Sequence, residues 1–268
     1  MTVPSTELPK ISTTIAPWFL WYVKKYQVGK FFHATRILQA GRPAAVPLDV
    51  PLIVYLNHPG WWDPLLCVVA SECFPGRSHY APMDAAMLQK YNIFSKLGFF
   101  GVEQNARGAV QFLRMGEAIT SKPATMLWLT AQGEFRDVRH RPPDLKNGLG
   151  ALLARIKRGI VLPMAIEYPF WNEKKPEAHF AFGSAIDAAG QLRNTEEWTG
   201  YLNEQMVVVQ DRLASAVMSR DGSQYDTILS GKSGVGGVYD LWRGVMATLR
   251  GQKFQAEHSV STLPTGER

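Results

Sequence analysis

The sequence predicts an α/β fold: a single domain with a central, mostly parallel mixed sheet flanked by helices, preceded by an N-terminal aromatic and basic helical segment. Three observations predict it. Short apolar runs of β-branched residues alternate along the chain with stretches of helical period. The chain has 268 residues, 46% hydrophobic and 19% charged, enough to bury a large core in one domain. The net charge of +6 is unevenly placed: residues 1–42 hold Lys10, Lys24, Lys25, Lys30, Arg36 and Arg42 against Glu7 alone. This composition excludes disorder, collagen-like repeats and a disulfide scaffold. The two cysteines, Cys67 and Cys73, share one apolar stretch and read as buried thiols of a reducing compartment.

Taken in order, residues 1–45 form the N-terminal segment, 46–255 the main domain and 256–268 a loose tail. The apolar run at 15–23 is far shorter than the ~20 residues that cross a bilayer, and neither a basic stretch before it nor a cleavage site after it marks a signal peptide. Trp18, Phe19, Trp21 and Tyr22 stand beside Lys24 and Lys25. Rings interleaved with basic side chains suit the headgroup layer, so these six residues are candidate membrane contacts; an aromatic helix packed on the core is the competing reading. The implied location is the cytoplasmic side of a membrane, peripheral or monotopic. No nucleic-acid motif accompanies the charge.

Strands are predicted at 52–57, 79–83, 125–130, 160–168 and 178–182, with helices at 64–73, 85–97, 106–120, 145–157 and 195–220. The last helix is the clearest: Trp198, Leu202, Met206, Val209, Leu213 and Val217 make one apolar stripe, with Thr195, Glu196 and Glu197 at its start. A glycine-rich loop follows at 231–237, then a basic amphipathic helix over 238–253. Gly231-Lys232-Ser233 lacks the preceding glycine and strand of a phosphate-binding loop, no G-x-S-x-G elbow is present, and the histidines show no metal spacing, so neither a metal nor a resident cofactor is expected.

The informative motif is Asn57-His58-Pro59-Gly60-Trp61-Trp62-Asp63. It follows the strand at 52–57, and Pro64 opens the next helix. Pro59 and Gly60 force a turn that can return Asp63 to the Nδ1 of His58. A carboxylate there fixes the tautomer and leaves Nε2 as a proton acceptor at the C-terminal edge of the sheet, where α/β ligand crevices form. A capping aspartate beside an unrelated loop histidine has the same spacing; the order strand, turn, helix favours the dyad.

With these residues the chain resembles the glycerolipid acyltransferase superfamily, which shares an N-H-x-x-x-x-D block. Gly98–Gln104 with 105–109 resembles the second block of that superfamily, 131–136 the third and 161–166 the fourth. The resemblance spans about residues 53–168. It implies an acyltransferase with His58 as general base and Asp63 as its orienting partner. It also implies substrate-binding roles for Gln104, Arg107, Gln132, Gly133, Glu134 and Arg136. The acyl donor would be acyl-CoA or acyl carrier protein, and the acceptor a lipid hydroxyl. Gln104 stands where many members have arginine and Gln132 where the third block has glutamate. Without that guanidinium the phosphate-binding fork is lost, which leaves open a lysophosphatidate-like acceptor, an amino-acid lipid, a glycolipid or a catalytically weak lipid-binding homologue. Gln132 and Glu134 read equally as a solvated loop. The basic residues Arg139, His140, Arg141 and Lys146 read as a solvated face or as a receptor for donor phosphates.

Overall fold

The computed structural model describes residues 7–231. The tail, the amphipathic helix predicted at 238–253 and all but the first residue of the glycine-rich loop lie outside the described residues. Among the described residues nine strands form one sheet: β1 (Ala34–Leu38), β2 (Leu52–Leu56), β3 (Ser78–Asp84), β4 (Phe99–Val102), β5 (Thr125–Thr130), β6 (Ile160–Glu167), β7 (Ala178–Phe182), β8 (Ile186–Asp187) and β9 (Tyr225–Ser230). Their order is β4-β3-β5-β2-β6-β7-β1-β9, with β8 paired to β6. The first five strands in that order are mutually parallel. Polarity reverses between β6 and β7, and again between β1 and β9.

β2 sits at the centre because both its faces are apolar. Leu52, Val54 and Leu56 pack with Leu66, Val69 and Ala70 of helix α3 (Asp63–Ala70). Ile53 and Tyr55 face the other way, toward α5 (Ala106–Thr120), α6 (Gly148–Leu153) and α7 (Thr195–Ser219), where Ile119, Leu152, Trp198 and Leu202 meet them. A strand covered on both faces needs the continuous apolar run that made it legible. The chain leaves β2 through α3 on one face and passes to β3, beyond β5. It leaves β5 through α6 on the opposite face and passes to β6, beyond β2. The two paths therefore diverge between the C-terminal ends of β2 and β5, and such a divergence opens a crevice.

Several elements differ from expectation. Residues 34–38, assigned above to the helical N-terminal segment, are strand β1 between β7 and β9. Its five residues include Arg36, whose guanidinium pairs with Glu177 of the loop before β7 at 2.6 and 3.3 Å, so no apolar run advertises the strand. β4, β8 and β9 are likewise short or polar. The helix expected at 85–97 is α4 (Ala85–Lys90) followed by a tight turn at Asn92–Leu97. α7 is capped by Asn194 rather than Thr195: the Asn194 side chain accepts from the Glu197 amide at 2.9 Å and the Glu197 carboxylate accepts from the Asn194 amide at 2.9 Å. The N-terminal segment is helical in α1 (Ile15–Tyr22), a wide π turn (Val23–Val28) and α2 (Gly29–Phe31), and it packs on the α3 face through Val23, Val28 and Phe32. No helix among the described residues is long and apolar enough to cross a membrane.

Glu167 closes β6 opposite His179 of β7. Burial pushes its carboxyl up to about 7 from an ordinary 4.5, against an opposing pull from Arg141. The folded protein thus holds a proton there that the unfolded chain releases. This contribution is complete below the ordinary value and is lost as pH rises through the raised one. Glu167→Gln removes the penalty, so its melting temperature relative to the wild type rises between about pH 5 and about pH 8. A difference between the two proteins that is constant over that range would exclude this assignment.

Candidate active site

The turn between β2 and α3 is built from the backbone outward. Asn57, just past β2, is buried and acts as one more rung of the ladder: its side-chain amide donates to the Ile166 carbonyl at 3.0 Å and accepts from the Ile166 amide at 2.8 Å. The chain then turns through Pro59 and Gly60, and the Asp63 amide donates to the Gly60 carbonyl at 3.3 Å. Asp63 opens α3, with Pro64 behind it in the first turn, where the missing N–H costs nothing.

Asp63 is 0% exposed. Its Oδ2 lies 2.5 Å from His58 Nδ1 and accepts from the Gly60 amide at 3.1 Å. Its Oδ1 accepts from the Tyr168 hydroxyl at 2.6 Å. A carboxylate only accepts, so Nδ1 carries the imidazole proton and the Nε2 lone pair is free. The His58 side chain is 15% exposed, and Nε2 has no hydrogen-bond partner among the described residues. The predicted pair is therefore in contact, with the basic nitrogen turned away from the acid.

The loop after β5 closes over this turn. The Gln132 side chain accepts from the His58 amide at 2.6 Å and donates to the Pro143 carbonyl at 2.6 Å. Gln132 is buried, and both ends of its amide are engaged within the protein. Although the third block suggests a substrate contact, the structure makes Gln132 a brace of the His58 backbone. Gly133 takes φ +68°, the left-handed region, and its amide donates to the Thr130 carbonyl at 3.0 Å. That amide is accordingly committed to the turn and is not available to an oxyanion. The Arg136 amide donates to the His58 carbonyl at 3.0 Å, which ties its backbone to the histidine. Its guanidinium donates to Glu134 at 2.5 Å and to Asp144 at 3.1 Å, while Nε is buried without a partner among the described residues. Phe135 lies edge-on to the His58 ring, centroids 4.6 Å apart, and is 60% exposed.

Gln104 and Arg107 follow β4 and are exposed. β4 is three strands from β2, about 14 Å at the usual spacing, so they stand apart from the dyad along the same edge of the sheet. Of the candidate membrane contacts, Trp18, Trp21 and Lys25 face outward. Phe19 packs against Phe94, Tyr22 stacks between Trp18 and Tyr26, and Lys24 pairs with Glu72 at 2.8 Å. Phe31, at the end of α2, meets Trp62 at 5.3 Å, and Trp62 meets the exposed Trp61 at 5.2 Å. The outward rings of the N-terminal segment thus lead to the dyad turn. No set of His, Cys, Asp and Glu side chains among the described residues is grouped to hold a metal ion.

Tyr168, Phe135 and Asn57 had no assigned role in the sequence reading. Phe135 lies inside the third block and was findable there. Tyr168 stands 105 residues from Asp63, and only the β2–β6 pairing brings it near.

Gln132→Leu leaves the His58 amide and the Pro143 carbonyl without partners. It lowers unfolding stability by about 1–3 kcal/mol in urea titration and speeds deuterium exchange at the His58 amide. A residue serving only as a ligand contact would leave both unchanged.

No family model matches the chain, and no curated protein matches it in sequence. Among solved structures the chain is similar to the 1-acyl-sn-glycerophosphate (LPA) acyltransferase PlsC from Thermotoga maritima, with 14% identity and a TM-score of 0.48 over 75% of this chain and 81% of that one.

Proposed function

We propose that this protein is a membrane-surface acyltransferase that moves a fatty acyl group from a thioester donor, acyl-CoA or acyl carrier protein, to a hydroxyl of a lipid acceptor. The observation that carries the reading is the His58–Asp63 contact, which leaves Nε2 as the basic nitrogen at the turn after β2. Nε2 removes the proton from the acceptor hydroxyl. The hydroxyl oxygen attacks the thioester carbonyl carbon, and the resulting oxyanion collapses with cleavage of the carbon–sulfur bond. The departing sulfur takes the proton from the imidazolium, leaving an ester and a free thiol. Asp63 holds the imidazole in the reactive tautomer and stabilises its charged form. The apolar face of Phe135 lines the approach of an acyl chain.

Two acceptor classes follow from the residues around the base. A lysophosphatidate-like acceptor needs a free cation, and Arg136, with Arg107 farther along the edge, would meet its phosphate. Glu134 and Asp144, however, already neutralise the Arg136 guanidinium, which favours a less charged head such as a glycolipid or amino-acid lipid. A panel of lyso-lipids, glycolipids and amino lipids, offered with labelled acyl-CoA and acyl carrier protein, separates the two. In that assay His58→Ala lowers kcat by about 10²–10⁴-fold without loss of fold. Equal thiol release by variant and wild type would refute the reading, and thiol release without an acylated lipid would make the protein a thioester hydrolase.

The surface of the N-terminal segment supports a bilayer as the second partner. Trp18, Trp21, Tyr26 and Phe31 are between 44% and 53% exposed, and the Lys25 ammonium lies 5.1 Å from the Trp21 ring centroid. The double variant Trp18→Ser, Trp21→Ser weakens co-sedimentation with anionic vesicles by at least about tenfold, and added salt weakens the remainder. Unaltered sedimentation would place the membrane contact elsewhere.

A further inference from the structure

We propose that Tyr168 is a positioning residue for the base: its hydroxyl fixes the Asp63 carboxylate so that Oδ2 alone is turned to His58. The contribution to turnover rests on the acyltransferase reading, whereas the effect on the hydrogen bond between the dyad partners does not.

Asp63 is fully buried, so its protein donors orient its carboxylate. Two of them, the His58 Nδ1–H and the Gly60 amide, reach the same oxygen, Oδ2. The Tyr168 hydroxyl is the donor that reaches Oδ1. Without it Oδ1 loses its hydrogen-bond donor, and the carboxylate is held through Oδ2 alone. The phenol is itself held in place. Its ring packs against Phe32 at 5.5 Å, Phe32 packs against Trp62 at 5.1 Å, and Trp62 belongs to the turn that carries the dyad. Burial, reinforced by the neighbouring carboxylate, pushes the phenol well above its ordinary value, so the hydroxyl keeps its proton and remains a donor at every working pH.

The arrangement has an electrostatic effect as well. A hydrogen bond to Oδ1 draws negative charge from Oδ2 and tempers the pull of Asp63 on the imidazole proton. Removing it makes Asp63 a stronger acceptor of the Nδ1 hydrogen bond. Tyr168 therefore affects both the aim of the base and the strength of the bond that holds it.

Tyr168→Phe retains the ring and its packing and removes only the donor. Proton NMR of the full chain reads the effect directly. The His58 Nδ1–H resonance is expected far downfield in the wild type, absent in His58→Ala, and moved further downfield in Tyr168→Phe. In the acylation assay the variant loses roughly tenfold in kcat with little change in KM. A wild-type spectrum without the downfield proton, or one that Tyr168→Phe leaves unmoved, overturns the proposal. If Tyr168→Phe does not fold, 3-fluorotyrosine placed at position 168 serves instead: the stronger donor moves the same proton upfield, and an unmoved proton overturns the proposal equally. A wild type that transfers no acyl group refutes the proposed function alone, because the NMR result is read without turnover.

Discussion

One carboxylate, completely withdrawn from water, organises this protein. A buried negative charge is tolerated only when donors surround it, and Asp63 gathers three: the imidazole of His58, the amide of Gly60 and the hydroxyl of Tyr168. The first two lie on its own turn. The third arrives from the end of β6, so the same charge that orients the histidine also ties the turn to the neighbouring strand. The geometry of the dyad and the closure of the sheet edge are consequences of one solvation requirement.

The sheet supplies the place for this charge. α3 and α6 leave neighbouring strands on opposite faces, so the two connections part at the edge between β2 and β5. Two amides hold the margins of the gap. Asn57 extends the β2–β6 pairing by one rung, and Gln132 ties the His58 backbone to the loop after β5. Neither side chain needs to touch a ligand to matter, because each fixes a backbone on which the histidine depends. A polar residue at a motif position is thus as readily part of the frame as of the binding surface, and burial decides between them.

Legibility in the sequence followed distance along the chain and the number of covered faces. His58 and Asp63 were readable because five positions and a proline–glycine turn join them. Strands β2, β5 and β6 were readable because burial on both faces demands continuous apolar runs. β1 and β9 were not, since they lie at the antiparallel margin and carry Arg36, Asp226 and Thr227 in a polar row. Tyr168 was hidden for a different reason. Its partner is distant in sequence, and a tyrosine ending an apolar strand looks like any other buried ring. The outward aromatic residues of α1 were legible by composition, although only the fold shows that Phe19 and Tyr22 turn partly inward.

The placement of β1 has a consequence for how the chain comes together. Its two neighbours, β7 and β9, stand far along the sequence, at 178–182 and 225–230. β1 is seated only once those distant strands have formed, a long-range pairing of the kind that slows folding. The strand that follows the N-terminal helices and the sheet margin it completes are therefore one cooperative unit rather than detachable modules.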